Sequence, residues 1–320
     1  SNKIFMPLLF VLFTILVIQA LRLPGAADGL NAFFTPNWTA MMDYKVWLAA
    51  YGHTFFSLSV GFGIMVTYAS YLKPKTNLTG SGLIVAFANA STEILAGIGI
   101  FAALGFMAYT ANSNVQDVVS GGIGLAFIAF PKIISSLGSG ADLFGILFFT
   151  SLFVAGISSM VSILEVPIAA MMDKLKWGRK KAVTIVGGGS AVVSIFLFSS
   201  VNSIKLVDIV DHFINNIGII GGALLSIICV AWFKRSALQE IKDHVNAIST
   251  VKLGKGWDFT LTVITSSILL ITLAMTVYHL LIKGYGDYSA SLQWVFGWGC
   301  VIFCAVIAVI LSQIKDREER

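Results

Sequence analysis

Long apolar stretches, separated by short polar connections, run along the whole chain. Eight of them approach or exceed the roughly 20 residues that a helix needs to cross a bilayer. A segment in lipid must satisfy its own backbone hydrogen bonds, and stretches of this length are too long for barrel strands, so each is predicted to be a helix. The predicted spans are 4–21, 44–72, 81–109, 143–173, 180–200, 207–233, 258–282 and 291–314.

The composition agrees with this pattern. The chain is 57% hydrophobic and 12% charged, with a mean hydropathy of +0.87, whereas soluble domains are about a quarter charged. We therefore expect one all-α membrane domain over residues 1–320, with the lipid bilayer as its surroundings. The net charge of +5 does not indicate a nucleic-acid partner, because the cations lie in short connections between spans.

The distribution of Lys and Arg predicts the orientation. Sixteen of the 21 lie at the two ends and in every second connection, and the remaining five lie on the other side. Excess Lys and Arg mark cytoplasmic connections, so both ends of the chain are predicted to be cytoplasmic. On the outer side, residues 110–142 are too apolar for a free loop and predict a short helical hairpin folded onto the outer mouth.

The second span contains an unusual stretch, FFSLSVGFG at residues 55–63. Glycine costs about 1 kcal/mol relative to alanine inside a helix, and Gly61 and Gly63 lie close together here. A single glycine would indicate a helix-packing surface. Two glycines after the hydroxyls of Ser57 and Ser59 instead favour an unwound segment whose backbone lines a cavity, as in many secondary transporters.

Other polar residues occur at a similar depth. Asn89 and Glu93 lie one helical turn apart in the third span, and an ionisable group inside a membrane is by default a functional candidate. In the fourth span the spacing of Ala155, Ser158 and Ser159 places them on one face. Hydroxyl, amide and carbonyl oxygens suit a hard cation such as Na⁺. The sequence shows no Cys/His cluster, phosphate-binding loop or activated nucleophile, so an enzyme is not favoured.

These stretches resemble the neurotransmitter:sodium symporter family, in its bacterial-type, sodium-dependent amino-acid transporter form. AAYGHTFFSLSVGFGIMVTYASYL resembles the unwound sixth helix. NASTE, AGISSMVSILEVP and VDIVD resemble parts of the seventh, eighth and tenth helices, and SNKIFMPLLF resembles the opening of the fifth. The resemblance implies an inverted-repeat sodium symporter fold of twelve helices. The chain would hold the fifth to the twelfth, and the first four would be missing.

The resemblance also implies a function and a set of sites. We expect sodium-coupled symport of a neutral, hydrophobic amino acid across the plasma membrane, a bacterial inner membrane, by alternating access, with this chain alone an inactive part. The implied first sodium site contains Ser57 and Asn89, and the second contains the Ala155 carbonyl, Ser158 and Ser159. The implied substrate pocket contains Phe56, Ser57, Ser59, Phe62, Ser159 and Ile163.

Further roles follow from the same resemblance. Glu93 occupies the position at which a carboxylate replaces chloride, so no chloride requirement is expected. Asp208 and Asp211 correspond to the outer gate, and Tyr71 and Asp173 to the inner gate. The gates' arginine partners would lie in the missing helices. At position 53 a histidine stands near the outer gate, where the family usually has glutamine.

Three alternatives stay open at this point. The chain could belong to a transporter of the same fold that carries another solute or ion, and replacing sodium would distinguish the two. It could be a membrane scaffold without transport activity, or a channel, although a channel should show rings of polar residues along a continuous path. A membrane enzyme is the least favoured, because catalytic groups are not evident.

Overall fold

The computed structural model describes residues 2–118, 130–135, 138–199 and 203–314, and all regular structure in these ranges is helical. A short 3₁₀ turn occupies Ala40–Met42. The α-helices are α1 (Asn2–Leu21), α2 (Ala26–Phe34), α3 (Tyr44–Ser57), α4 (Ile64–Ser70), α5 (Leu78–Ala111), α6 (Val115–Val118), α7 (Phe130–Ser135), α8 (Ala141–Leu175), α9 (Arg179–Phe198), α10 (Ser203–Phe233), α11 (Arg235–Ile248), α12 (Lys255–Lys283) and α13 (Ala290–Gln313).

Some predictions fall outside the described residues. Of the outer hairpin predicted in 110–142, the structure describes the short helices α6 and α7, whereas 119–129 and 136–137 lie outside. The last residue of the predicted span 180–200 also lies outside. The same holds for three of the sixteen cations used to predict the orientation, which are Lys315, Arg317 and Arg320.

Six described helices are long and apolar enough to cross a membrane, namely α5, α8, α9, α10, α12 and α13. A seventh span results if α1 and α2 are counted together, since they form a pair bent by 108°. Eight spans were predicted. The difference includes the segment 44–72, which the structure divides into pieces of 14 and 7 residues. At 1.5 Å per residue the longer piece reaches only about 21 Å, so neither piece spans a bilayer alone.

The residues group into two compact units. The first comprises Ser1–Asp43 and Ile84–Val161, and the second comprises Tyr44–Leu83 and Ser162–Arg320. The helices α5 and α8 are each continuous, and each contributes residues to both units. The predicted sodium ligands Asn89, Ala155, Ser158 and Ser159 therefore belong to the first unit, and the residues of the helix break belong to the second.

The core of the first unit is built from small and apolar side chains. Ala102 and Ala103 of α5 are fully buried beside Leu16 of α1 and Phe148 of α8. Such small residues allow helices in a membrane to approach closely. At the bend between α1 and α2, Gly25 has φ +82°, and a Cβ atom there would lie 2.5 Å from the carbonyl oxygen of Gly105. Glycine is therefore required for this bend.

The core of the second unit joins α10, α12 and α13. Ile209 and Phe213 of α10 are fully buried with Leu280 of α12, and Tyr285 and Trp298 pack against them. Further along α10, Ile220, Ala223 and Leu224 pack with Leu269 of α12. This packing fixes the surface of α10 that presents the acidic residues predicted to form the outer gate.

Four π-helical turns interrupt α10, α12 and α13. One of them, Ile214–Ile219, begins three residues after Asp211 and contains two adjacent asparagines, Asn215 and Asn216. A π-turn shifts the direction of the following side chains and often occurs at a functional site. Here it places both asparagines on the cavity described below.

Candidate functional site

The helix break is built from residues with left-handed backbone conformation. Between α3 and α4, Ser59 has φ 53°, Gly61 has φ 84° and Gly63 has φ 78°. For a residue with a side chain, such as Ser59, this conformation is costly and often accompanies a functional site. The sequence predicted a break at Gly61 and Gly63, and the structure places non-helical backbone over residues 58–63.

Both glycines of the break also touch neighbouring helices. A Cβ atom on Gly61 would lie 3.0 Å from Ile219 and 3.1 Å from Ala223 of α10. A Cβ atom on Gly63 would lie 2.9 Å from a methyl group of Val166 in α8. The break therefore lies against residues of α10 and α8 that belong to the same unit, and the backbone can approach them because the glycines lack side chains.

We expect Gly63→Ala to lower the unfolding free energy by about 1–2 kcal/mol, because alanine in left-handed conformation clashes with its own carbonyl oxygen. The contact with Val166 adds to this cost. The matched control is Gly188→Ala in α9, where a Cβ atom meets nothing within 4 Å and the backbone is helical. Thermal unfolding midpoints in detergent measure both variants. Equal midpoints would contradict the assignment of a required left-handed residue at 63.

A cavity of about 290 Å³ lies beside the break, within the second unit. Phe56 and Phe62 form an apolar wall, with ring centroids 5.7 Å apart and planes at 69°. Polar residues also line the cavity, among them His53 and Asp211. Ligand pockets typically measure roughly 300–1,000 Å³, so this volume suits a small solute. Two predicted substrate-pocket residues and one predicted outer-gate residue thus line one cavity.

The remaining residues of the predicted substrate pocket have other locations. Ser57 and Ser59 lie at the end of α3 and in the break, and Ile163 lies in α8, all in the second unit. Ser159 belongs to the first unit. The cavity lining described above does not include these four residues. Their joint contact with one substrate stays a prediction.

Asn89 and Glu93 interact directly. The Asn89 Nδ2 atom donates a hydrogen bond of 2.8 Å to Glu93 Oε1, across one turn of α5. Both side chains are half-buried. Because the amide nitrogen is directed to the carboxylate, the amide oxygen Oδ1 is the atom through which Asn89 can bind a cation. The pair therefore offers a hard oxygen ligand with a negative charge beside it, which fits sodium.

The predicted second sodium site lies on α8. The positions of Ala155, Ser158 and Ser159 follow the i, i+3, i+4 spacing on a continuous helix, so they share one face. Two hydroxyls and a carbonyl oxygen are ligands that a hard cation accepts. In the described residues there is no group of three or more His, Cys, Asp or Glu side chains that could hold a metal.

The predicted inner-gate residue Tyr71 belongs to a three-residue network. Its hydroxyl donates a hydrogen bond of 2.9 Å to Glu165 Oε1. Arg179 binds the same carboxylate through two contacts, Nη1 to Oε1 at 2.8 Å and Nη2 to Oε2 at 2.9 Å. The carboxyl residue is only 8% exposed. Bidentate contacts between an arginine and a carboxylate are among the strongest side-chain interactions.

A second bond adjoins this network. The Tyr68 hydroxyl donates to Ser162 Oγ at 2.6 Å, so α4 and the residue that follows it, Tyr71, are both bonded to α8. Asp173, the other predicted inner-gate residue, does not enter the network in the part of the chain that the structure describes. Glu165 and Arg179 were not predicted as site residues. A carboxylate inside an apolar span is the signal that identifies Glu165.

The two predicted outer-gate residues have different surroundings. Asp211 Oδ1 accepts a hydrogen bond of 2.8 Å from Asn215 and lines the cavity. Asp208 instead accepts hydrogen bonds from two tyrosine hydroxyls of the α12–α13 connection, Tyr285 at 3.1 Å and Tyr288 at 2.8 Å. Of the two carboxylates, Asp211 is therefore the one that lines the cavity.

The two tyrosine hydroxyls beside Asp208 stay protonated and act as hydrogen-bond donors. Burial, together with the hydrogen bond to Asp208, raises the pKa of Tyr285 to about 12. The hydrogen bond to Asp208 also raises the pKa of Tyr288. Both hydroxyls therefore stay protonated at neutral pH. His212 of α10 stacks on Tyr285, with ring centroids 3.7 Å apart, which fixes this connection against α10.

Comparison with known proteins gives consistent results. The sequence profile of the Sodium:neurotransmitter symporter family matches residues 2–318. An uncharacterized sodium-dependent transporter of Methanocaldococcus jannaschii is 39% identical over 315 residues, which are 98% of this chain and 63% of that protein.

Two animal relatives are more distant. The sodium- and chloride-dependent glycine transporter 2 of Xenopus laevis is 29% identical over 311 residues, covering 96% of this chain and 39% of the relative. The human sodium- and chloride-dependent neutral and basic amino acid transporter B(0+) is 29% identical over 323 residues, covering 96% and 49%. The chain thus spans between 39% and 63% of the length of these three relatives.

Proposed function

Because the chain belongs to the sodium:neurotransmitter symporter family, we propose that it forms part of a multi-pass membrane transporter that couples sodium to the uptake of a neutral, hydrophobic amino acid. The observation that carries the proposal is the cavity at the helix break, which Phe56, Phe62 and Asp211 line together. An aromatic wall favours an apolar side chain. The left-handed backbone beside it brings peptide groups to the same place.

The proposed transport is alternating access in the inverted-repeat fold, with this chain supplying the fifth to the twelfth helices. The chain matches 63% or less of the length of each relative described above. This supports the proposal that it supplies only part of the helices. The remaining helices would supply the other half of the binding site. The proposed membrane is a bacterial plasma membrane, with both ends of the chain in the cytoplasm.

The proposed ion sites use neutral oxygens. Ser57 and Asn89 would bind the first sodium, and the Ala155 carbonyl with Ser158 and Ser159 would bind the second. The bond between Asn89 and Glu93 supports the first assignment, because it orients the amide and adds a negative charge next to the ion. When bound, sodium would supply positive charge that favours the substrate carboxylate.

The proposed outer gate uses Asp211, and the proposed inner gate uses the network of Tyr71, Glu165 and Arg179. Asp211 would close the outer side, and its bond to Asn215 orients it toward the cavity. Tyr71, Glu165 and Arg179 would hold the inner side, and their network supports this role. Asp173 stays a proposed inner-gate residue, with a partner expected from the missing helices.

Glu93 is proposed to take the place of chloride. We expect wild-type uptake to be unchanged when chloride is replaced by gluconate, and Glu93→Ser uptake to require chloride, because the variant lacks the fixed charge that balances sodium. The control is Glu93→Asp, which keeps a carboxylate and should stay independent of chloride. Uptake measured at several chloride concentrations tests this. A Glu93→Ser protein that is active and indifferent to chloride would refute the charge-balance role.

The proposed function is tested by uptake of labelled neutral amino acids into proteoliposomes that contain the full transporter. An inward sodium gradient should drive accumulation, and replacing sodium with choline should abolish it. Accumulation that persists without sodium would favour a transporter of the same fold that uses another ion. A folded protein that moves none of the amino acids under either gradient would favour the scaffold alternative.

A further inference from the structure

Two connections meet at the start of α5. Asn77, just before α5, makes two bonds to Thr250, which lies after α11. Its Nδ2 atom donates to Thr250 Oγ1 at 2.9 Å, and its Oδ1 atom accepts from the Thr250 backbone N–H at 3.2 Å. Both residues belong to the second unit. We call the set Asn77, Thr79, Ser249, Thr250 and Val251 the clip.

The clip also caps α5. The first N–H groups of a helix lack partners within the helix, and usually a residue just before the helix accepts from them. Asn77 Oδ1 accepts from the Gly80 backbone N–H at 3.0 Å in this way. Ser249 Oγ caps the helix as well, because it accepts from the backbone N–H groups of Leu78 at 3.1 Å and Thr79 at 3.4 Å, from 171 and 170 residues away in sequence. Thr79 Oγ1 donates to the Val251 carbonyl at 2.9 Å. Ser249 is only 4% exposed, so this cap is an internal contact.

The connection that carries Ser249 is itself well fixed. Asn246, near the end of α11, accepts from the Leu253 N–H at 2.6 Å and donates to the Leu253 carbonyl at 3.0 Å. Lys242 of α11 pairs with Asp258 of α12 at 2.5 Å. The two helices and their connection therefore form one braced element, and the clip attaches the start of α5 to it.

We propose that Asn77 and Ser249 are positioning residues for transport, because they make the start of α5 move as one piece with the α11–α12 connection. The inference rests on the proposed function. α5 is continuous from Leu78 to Ala111 and carries Asn89 and Glu93. The clip thus holds the first turn of the helix that carries a proposed sodium ligand.

A crosslink tests whether the two connections stay together. The full transporter, with Cys229, Cys300 and Cys304 replaced by alanine, receives Asn77→Cys and Thr250→Cys and is treated with a short bifunctional thiol reagent. Crosslinked protein should keep sodium-driven uptake within about twofold of the untreated double variant. The single-cysteine variants are the controls for the reagent. Uptake lost on crosslinking, with the controls active, would show that the clip opens during transport and would overturn the proposal.

Removing the cap tests the positioning role. Ser249→Ala should speed hydrogen exchange in the first turn of α5 and raise the sodium concentration for half-maximal uptake about fivefold, the size expected for loss of one helix cap. Thr76→Ala is the matched control, because the Thr76 hydroxyl bonds to the Lys73 carbonyl, three residues earlier in the chain. Faster exchange with unchanged sodium dependence would overturn the positioning role. Uptake by the unmodified protein without sodium would instead contradict the proposed function. The hydrogen-exchange result would still show whether Ser249 caps α5.

Discussion

Asn89→Ala raises the sodium concentration for half-maximal uptake by about 10- to 100-fold, if Asn89 is a ligand of the first sodium site. A hydrogen-bonding group that contacts a charge contributes about 1.5–3 kcal/mol, and each 1.4 kcal/mol is tenfold in affinity. The variant also removes the donor that holds Glu93 Oε1 at 2.8 Å. Ser158→Ala should act in the same direction through the second site. Uptake measured over a range of sodium concentrations gives the values.

The control for this prediction is Ser91→Ala. Ser91 lies two residues further along α5, and its hydroxyl bonds to the Phe87 carbonyl of the same helix. Its sodium dependence should match the wild type. If Asn89→Ala and Ser158→Ala both keep wild-type sodium dependence, neither residue binds sodium and both site assignments are wrong.

The second large effect is expected for Arg179→Gln. The variant leaves the Glu165 carboxylate, which is 8% exposed, with the Tyr71 hydroxyl as its hydrogen-bond donor. Breaking a fully buried ion pair costs about 3–5 kcal/mol. Because the Arg179 side chain is 59% exposed, solvent screens the pair, so we expect a smaller loss than this, seen as a lower unfolding midpoint. Thermal unfolding in detergent measures the loss.

A double variant separates the charge from the packing. Arg179→Gln with Glu165→Gln removes both charges, so its unfolding midpoint should lie above that of Arg179→Gln alone. Lys180→Gln, an exposed neighbour in the first turn of α9, should stay close to the wild type. If Arg179→Gln unfolds at the temperature of Lys180→Gln, the ion pair does not stabilise the protein.

The helix break is a feature whose backbone conformation could be predicted from local sequence. Two glycines and two serines in an apolar stretch predicted non-helical backbone near residue 61, and positive φ angles occur at Ser59, Gly61 and Gly63. The prediction succeeds because φ is a local property and glycine is the residue that adopts positive values at no steric cost. What the sequence did not indicate is that Ile219 and Val166 would crowd these glycines, since both lie far away in the chain.

The surroundings of the predicted gate residues depend on contacts that are distant in sequence. The resemblance assigns Asp208 and Asp211 to the outer gate, and their spacing of three residues places them on one face of a helix. The structure gives Asp208 two tyrosines that lie 77 and 80 residues further along, whereas Asp211 lines the cavity. Partners at that separation depend on how α10 packs with α12 and α13. The contact between Glu165 and Arg179 likewise depends on the turn between α8 and α9, where Lys176 has φ 53°.

Sodium-dependent binding tests the central claim most directly. Labelled leucine and tryptophan are added to the chain alone and to a version that includes its upstream coding sequence, with sodium or with choline. We expect the extended version to bind these amino acids in sodium but not in choline, and the chain alone to bind them in neither. Binding that does not depend on sodium, or binding by the chain alone, would contradict this expectation. So would the absence of binding by an extended version that is shown to be folded.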